Sequence, residues 1–197
     1  GAFFAQNMRM KAPGYADGHV GKWITEPADF NKQMAALWSA GYDLHVHVNG
    51  DEGLDMVLDA IAALERRPSQ TITLEHLGFS TEEQNKRIAN MGLMVSAQPN
   101  YIHVLGDAYA KNGLGPDRAA SMSRLGSLEA KVVTLGLHSD FNMAPINPLR
   151  LAWIAANRQT VDGNIKGPLE RLGIEKALRA ITIEAAEVIG MQDIVGS

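Results

Sequence analysis

Residues 44–61 read LHVHVNGDEGLDMVLDAI, an apolar alternation carrying two histidines, then Asn-Gly-Asp, then a helical period. Leu44, Val46 and Val48 alternate with His45 and His47, the period of two of a strand that puts both histidines on one side. Leu54, Val57, Leu58 and Ile61 recur on one helical face, with Asp51 where an N-cap belongs. A strand running directly into a helix is one β/α unit, and the rest of the chain repeats the pattern.

Ahead of it, Phe30, Met34, Leu37 and Trp38 at helical spacing, with Pro27 in the first turn, predict a helix over about 27–40. Further strands are expected at 43–48, 71–74, 93–97 and 131–135. Between them Ser80 with Glu83 forms a capping-box pattern before Ile88 and Met91, and Gly92 ends that helix. Residues 100–116, rich in Gly and Asn, read as irregular, and 117–130 as a helix. Asn147-Pro148 caps a helix reaching about Asn157, and Ile174, Ala177, Leu178 and Ile181 mark one more before Gly190.

Composition narrows the class. The 197 residues, 46% of them hydrophobic, suit one domain with a sizeable core. Eighteen basic against 22 acidic side chains, without a basic block, argue against a nucleic-acid partner. No cysteine is present, so any metal must be held by His, carboxylate or lysine-derived oxygen, and a cytoplasmic setting is expected. The apolar runs are too short for a membrane span, and no membrane partner is expected.

Repeated strand and helix imply parallel strands joined by right-handed crossovers, in a barrel or an open doubly wound sheet. Neither GxGxxG nor GxxxxGK[ST] occurs, which favours the barrel. Four expected strand ends then finish in His47, His76, Gln98 and Asp140, and in a barrel all such ends face one mouth. The 29 positions from His47 to His76 are about one β/α unit, and the 64 from His76 to Asp140 about two. Neutral imidazoles with a carboxylate are the donors of a hydrolytic zinc site, where the ion lowers the pKa of water and the carboxylate takes its proton.

In order along the chain, His47-Val48-Asn49-Gly50-Asp51, Leu74-Glu75-His76, Ser96-Ala97-Gln98-Pro99, Ser139-Asp140-Phe141 and Pro145-Ile146-Asn147-Pro148-Leu149 resemble the amidohydrolase superfamily. The resemblance is to the amidohydrolase family 3 type, which includes N-substituted formamide deformylase, and it extends through Ala177 to Thr182. It implies a TIM (β/α)8 barrel present as a partial barrel, about strands 4 to 8. By it His47 and His76 are the metal-ligating histidines of the fifth and sixth strands, and Asp140 is the eighth-strand aspartate that holds metal and moves the proton. Tyr15-Ala16-Asp17-Gly18 resembles the Asp-Gly element after the fourth strand. Lys11 then stands for the lysine that in several members is carboxylated and bridges two metals, with a surface lysine as the alternative. One or two divalent ions are implied, Zn first, with Mn or Fe as alternatives.

His45 and His47 imitate the H-x-H pair of the superfamily's first strand, but too few strands follow for that reading. His45 is left as a packed histidine or a donor behind the ligands, and His138 has the same ambiguity beside Asp140. Asp17, Gln98, Asn100, His138 and Asn142 are the candidate substrate-binding residues, and His19 and His103 fall in expected loops. A first-strand H-x-H and the usual C-terminal continuation are absent, so the chain reads as one partial barrel domain, shorter than the ~250 residues of a full one. Open strand edges predict a homo-oligomer or association through those edges. The expected function is hydrolysis of a C–N bond in an amide, formamide or cyclic amide, on a small-molecule substrate, through metal-activated water. The alternative is a non-catalytic barrel segment with a structural or assembly role.

Overall fold

The computed structural model describes residues 2–196. Its strands β1 (Leu44–Val48), β2 (Ile72–His76), β3 (Met94–Ala97) and β4 (Leu135–Leu137) form one parallel sheet in the order β1-β2-β3-β4. A doubly wound sheet reverses its strand order at a switch point, whereas a barrel adds strands in sequence. The unreversed order therefore belongs to a barrel wall. The described residues contain four strands; the segment before the first helix, where the resemblance put the fourth strand of the barrel, is made of turns.

Helices α1 (Pro27–Ser39), α2 (Asp51–Ala62), α3 (Glu82–Asn90) and, further on, α6 (Leu125–Ala130) supply the outer layer. Val46, Leu74, Val95 and Leu135 point into it, and with Leu54, Leu58, Ile88 and Leu128 they form the main core. The opposite row, paired in register, is His47, Glu75, Ser96 and Gly136. That row lines the concave side.

Helix starts follow the sequence closely. Pro27 opens α1 at its first turn, and Asn147 Oδ1 accepts from Arg150 N at 3.0 Å to cap α7 (Pro148–Asn157). The capping box at α3 lies one residue later than Ser80 and Glu83: Thr81 and Gln84 exchange the two bonds. Asp51 sits inside α2 as its first residue, its carboxylate accepting from the amides of Lys11 and Glu52 at 2.9 Å.

Three expectations are corrected. Residues 100–113, read as irregular, hold α4 (Asn100–Ala108) and a π-helical turn, Tyr109–Gly113, so His103 is a buried helical residue rather than a loop one. The expected helix at 117–130 is two, α5 (Pro116–Ala120) and α6, because Arg158 takes the carbonyls between them. Its buried guanidinium donates to Ala120, Met122 and Ser123 oxygens at 3.3, 2.7 and 2.8 Å. The last strand begins at Leu135, not Lys131, since Lys131 and Val132 amides bond back to Leu128 and Glu129 to finish α6.

The two sheet edges differ. On the β4 side the Leu135 amide donates to Glu184 Oε2 at 2.9 Å and the Leu137 amide to the Ala180 carbonyl at 2.8 Å. Thus α8 (Ile174–Arg179) and α9 (Ile183–Glu187) blunt the edge that was expected to be open. At the other edge, a groove of about 480 Å³ runs beside β1, walled by Trp23, Phe30 and Met34.

Leu74 carries the outer row under the site strand and is fully buried. Leu74→Ala is expected to cost about 3 kcal/mol, read as a lowered urea midpoint at constant slope.

Candidate metal and substrate site

Strand parity alone would separate the two principal histidines. Val48 pairs with His76 in register, and Leu74 and His76 share parity, so an extended His76 would face the helices. The backbone at His76 is instead left-handed, φ +70°, and Leu77 follows at +46°. Such angles cost a non-glycine residue on the order of 1–2 kcal/mol. Two bonds hold them: the Leu77 amide donates to Val48 O at 3.1 Å and Glu75 O at 2.9 Å, and the Leu77 side chain is buried. As a result the His76 ring lies edge-on to His47, centroids 4.5 Å apart, and to His138 at 4.8 Å.

Asp140, expected at a strand end, lies three residues past β4, left-handed at φ +54°, and its charge acts on both His76 and His138. Burial pushes the His76 pKa down to about 4, assisted by the neighbouring His138 and His47, with Asp140 and Glu75 opposing. Burial lowers His138 as well, against the pull of Glu75 and Asp140. The imidazole of His76 is therefore neutral at pH 7, the form that ligates a metal.

Sequence reading missed Glu75 as a site residue. Its Oε1 lies 2.6 Å from His45 Nδ1 and its Oε2 is 3.8 Å from His138 Nε2, so one carboxylate links the two histidines left ambiguous. Only the register with His47 and Ser96 reveals this, and register is not written in either strand. Tyr101, whose hydroxyl approaches His76 Nδ1 at 3.5 Å, and Asn49, whose Nδ2 approaches His47 Nε2 at 3.5 Å, complete the surroundings. Phe3 stacks on Tyr101 at 4.2 Å and lies so close over Gly78 that a Cβ there would meet its ring at 2.3 Å.

The other candidates are distributed unevenly. Gln98 is fully buried just past β3 with neither amide atom hydrogen-bonded, and the Asn100 Nδ2 at the start of α4 is likewise buried without a partner. Asn142 is exposed in the loop after Asp140. Asp17 is exposed and bonded to His19 instead of facing the histidines. Lys11 is engaged by Asp55 of α2, and that hydrogen bond is the main cause raising its pKa. A protonated amine held on the helical layer is the opposite of the neutral nucleophile that a carbamate requires, which favours the surface-lysine alternative.

The donor types fit a divalent cation: the His47 ring beside the neutral imidazole of His76, His138 with a buried Nε2 lacking a hydrogen bond, and the Asp140 charge at hand. Among the described residues, however, no group of three or more His, Asp or Glu side chains is already arranged to hold an ion. Two histidines are poised, and a third donor is not aligned with them.

Residues 7–197 match the family profile described as amidohydrolase family. The chain belongs to that family. It is 26% identical over 182 residues to N-substituted formamide deformylase of Arthrobacter pascens, covering 91% of this chain and 33% of that protein. It is 29% identical over 184 residues to Protein LONG AFTER FAR-RED 3 of Arabidopsis thaliana, covering 91% and 31% respectively. Uncharacterized metal-dependent hydrolases from Pyrococcus furiosus and Pyrococcus horikoshii OT3 superpose on the whole chain with TM-scores of 0.83 at 26% and 25% identity. In each case 40% of the archaeal chain is covered. The chain thus spans about a third of the length of these curated relatives, and its α/β sheet corresponds to part of their structural counterparts' barrel. Among the described residues no helix is long and apolar enough to cross a membrane.

The depressed His76 fixes an acid limb. Unfolded, its pKa returns to about 6.5, so the unfolded chain binds the proton first and stability falls as pH drops from about 6.5 towards 4. The loss is on the order of 3 kcal/mol. Proton NMR of the ring, with urea melts across that range, should show a midpoint near 4 and the parallel loss; a midpoint at 6.5 with flat stability is the contrary result.

Proposed function

We propose that the chain supplies the strand-end half of a metal-dependent hydrolase centre that cleaves C–N bonds of small amides, formamides or cyclic amides. The observation that carries this reading is the turning of His76 towards His47 and His138, with Asp140 close enough for its charge to act on two of the rings. The printed names of the relatives, a formamide deformylase and metal-dependent hydrolases, support the same class.

In this reading His47 and His76 hold the cation, Zn or alternatively Mn or Fe, and Asp140 joins them. An ion held by these residues would supply Lewis-acid polarisation of a carbonyl and a lowered pKa for water. The Asp140 carboxylate accepts the proton of the attacking water at an Oδ and returns it to the leaving nitrogen, which must depart as a neutral amine. Glu75, bonded to His45 and facing His138, keeps that side of the cluster anionic and oriented. Gln98, just past β3, and Asn100, at the start of α4, hold buried carboxamide atoms without hydrogen-bond partners, in keeping with an amide substrate, and Asn142 is exposed in the loop after Asp140. Association through the β1 edge, beside the groove, belongs to the same reading.

A second reading, a barrel segment with a structural role, is favoured by one observation: no three-donor group stands arranged among the described residues. Elemental analysis with a hydrolysis screen on the same sample separates the two. The hydrolase reading expects near-stoichiometric divalent metal, lost in His47→Ala and His76→Ala, and formamide or amide hydrolysis abolished by chelator. Asp140→Asn is expected to lower turnover by about 10² or more. Metal-free protein whose folding is unchanged by the two alanine substitutions would establish the structural reading.

A further inference from the structure

Residues 2–22 form a layer of turns that packs Phe3 against Tyr101 beside the site, and among the bonds that hold it one histidine bridges two of the turns. The turn at 2–7 is held by Gln6 N to Phe3 O and Asn7 N to Ala2 O, both 3.1 Å. It presents Phe3 to Tyr101 and Gly78, and the Phe3 carbonyl accepts from the Tyr109 hydroxyl. A second turn, residues 15–19, is closed by Tyr15 N to His19 O at 2.8 Å and by His19 N to Asp17 Oδ1 at 3.1 Å.

His19 bridges the two. Its Nδ1 lies 2.5 Å from Asp17 Oδ1 and its Nε2 lies 2.8 Å from the backbone carbonyl of Gln6. A carboxylate and a carbonyl can only accept. A neutral imidazole carries one N–H, so in either tautomer one ring nitrogen would set its lone pair against an oxygen; only the imidazolium makes both bonds.

We propose that His19 is a proton-operated clasp: as the imidazolium it binds the 2–7 turn to the 15–19 turn and holds Phe3 on Tyr101 beside His76, and on losing its proton it releases that wall.

The groups that face His19 are few. Asp17 is the charged one, on its own turn; the 2–7 turn offers the uncharged Gln6 carbonyl; and the Tyr15 ring stacks on the imidazole at 4.2 Å and 5°. Behind Tyr15 is Tyr109, at 6.4 Å, whose phenol burial keeps neutral. The Gln6 carbonyl and then Asp17 raise the His19 pKa, and His19 lowers that of Asp17. The clasp is thus complete below about 6.5 and is lost as pH rises through the raised value; it is lost again in acid, when Asp17 is protonated. His19 is exposed, so the proton exchanges freely with solvent.

The link to His76 runs through Tyr101, and to that extent the inference rests on the reading of His76 as part of a metal site; the test needs neither metal nor substrate. Amide hydrogen exchange of Gln6 and Asn7, corrected for intrinsic rates, is measured from pH 6 to 9 in the wild type, His19→Gln and His19→Arg. Protection in the wild type should fall about threefold across the range, stay low in His19→Gln and stay high in His19→Arg, while Phe3 and Tyr101 ring signals move with the His19 titration. Three superimposable profiles would overturn the clasp, whatever became of the hydrolase reading. Where a variant misfolds, the wild-type spectrum still decides: a His19 midpoint at or below 6.5, or ring signals that ignore it, counts against the proposal.

Discussion

The left-handed turn at His76 and Leu77 is the constraint on which the rest of the site depends. Without it the sheet's own period would send the His76 ring into the helical layer, where Leu74 already sits, and His47 would have no imidazole neighbour from β2. The bonds that enforce it belong to the sheet itself, since Leu77 reaches back to the last carbonyl of β1. Local strain is thus secured by tertiary hydrogen bonding, the condition under which strained backbone persists at functional positions. Asp140, three residues beyond β4, also adopts a left-handed backbone.

The arrangement also explains how the chain distributes polarity. One face of the sheet is an aliphatic row against α2, α3 and α6; the other carries His45, His47, Glu75 and Ser96. Glu75 lies between His45 and His138, its two carboxylate oxygens 2.6 and 3.8 Å from their ring nitrogens. Elsewhere polar groups are buried for structural ends. Arg158 is fully buried yet bonds backbone carbonyls throughout, and Glu184 receives the Leu135 amide together with Lys176 and Arg179. These are the features that end elements and close an edge, and a substrate site need not contain them.

Much of the fold was legible because it rests on local rules: alternation at Leu44–Val48, helical period after Asp51, proline at the start of α1, Asn147 ahead of α7. That His47 and His76 lie at the ends of β1 and β2 was legible from the alternation of their strands, whereas Asp140 lies three residues beyond the end of β4 rather than at it. What stayed hidden depends on distant partners. Arg158 breaks a helix from more than 30 positions away, Glu184 caps a strand edge, and Asp55 draws Lys11 to the helical layer. Glu75 was visible as a residue but not as a neighbour of His45 and His138, because parallel register is set by packing rather than by either strand alone.

The proposed hydrolase centre requires that the turn at His76 build, with His47, one shared cation site. Zinc-edge X-ray absorption on the zinc-loaded chain tests it directly. Two or more imidazole ligands on the ion, falling by one in His76→Ala, is the result this account predicts. An imidazole shell unchanged by that substitution, or an ion with no imidazole ligand, would contradict it.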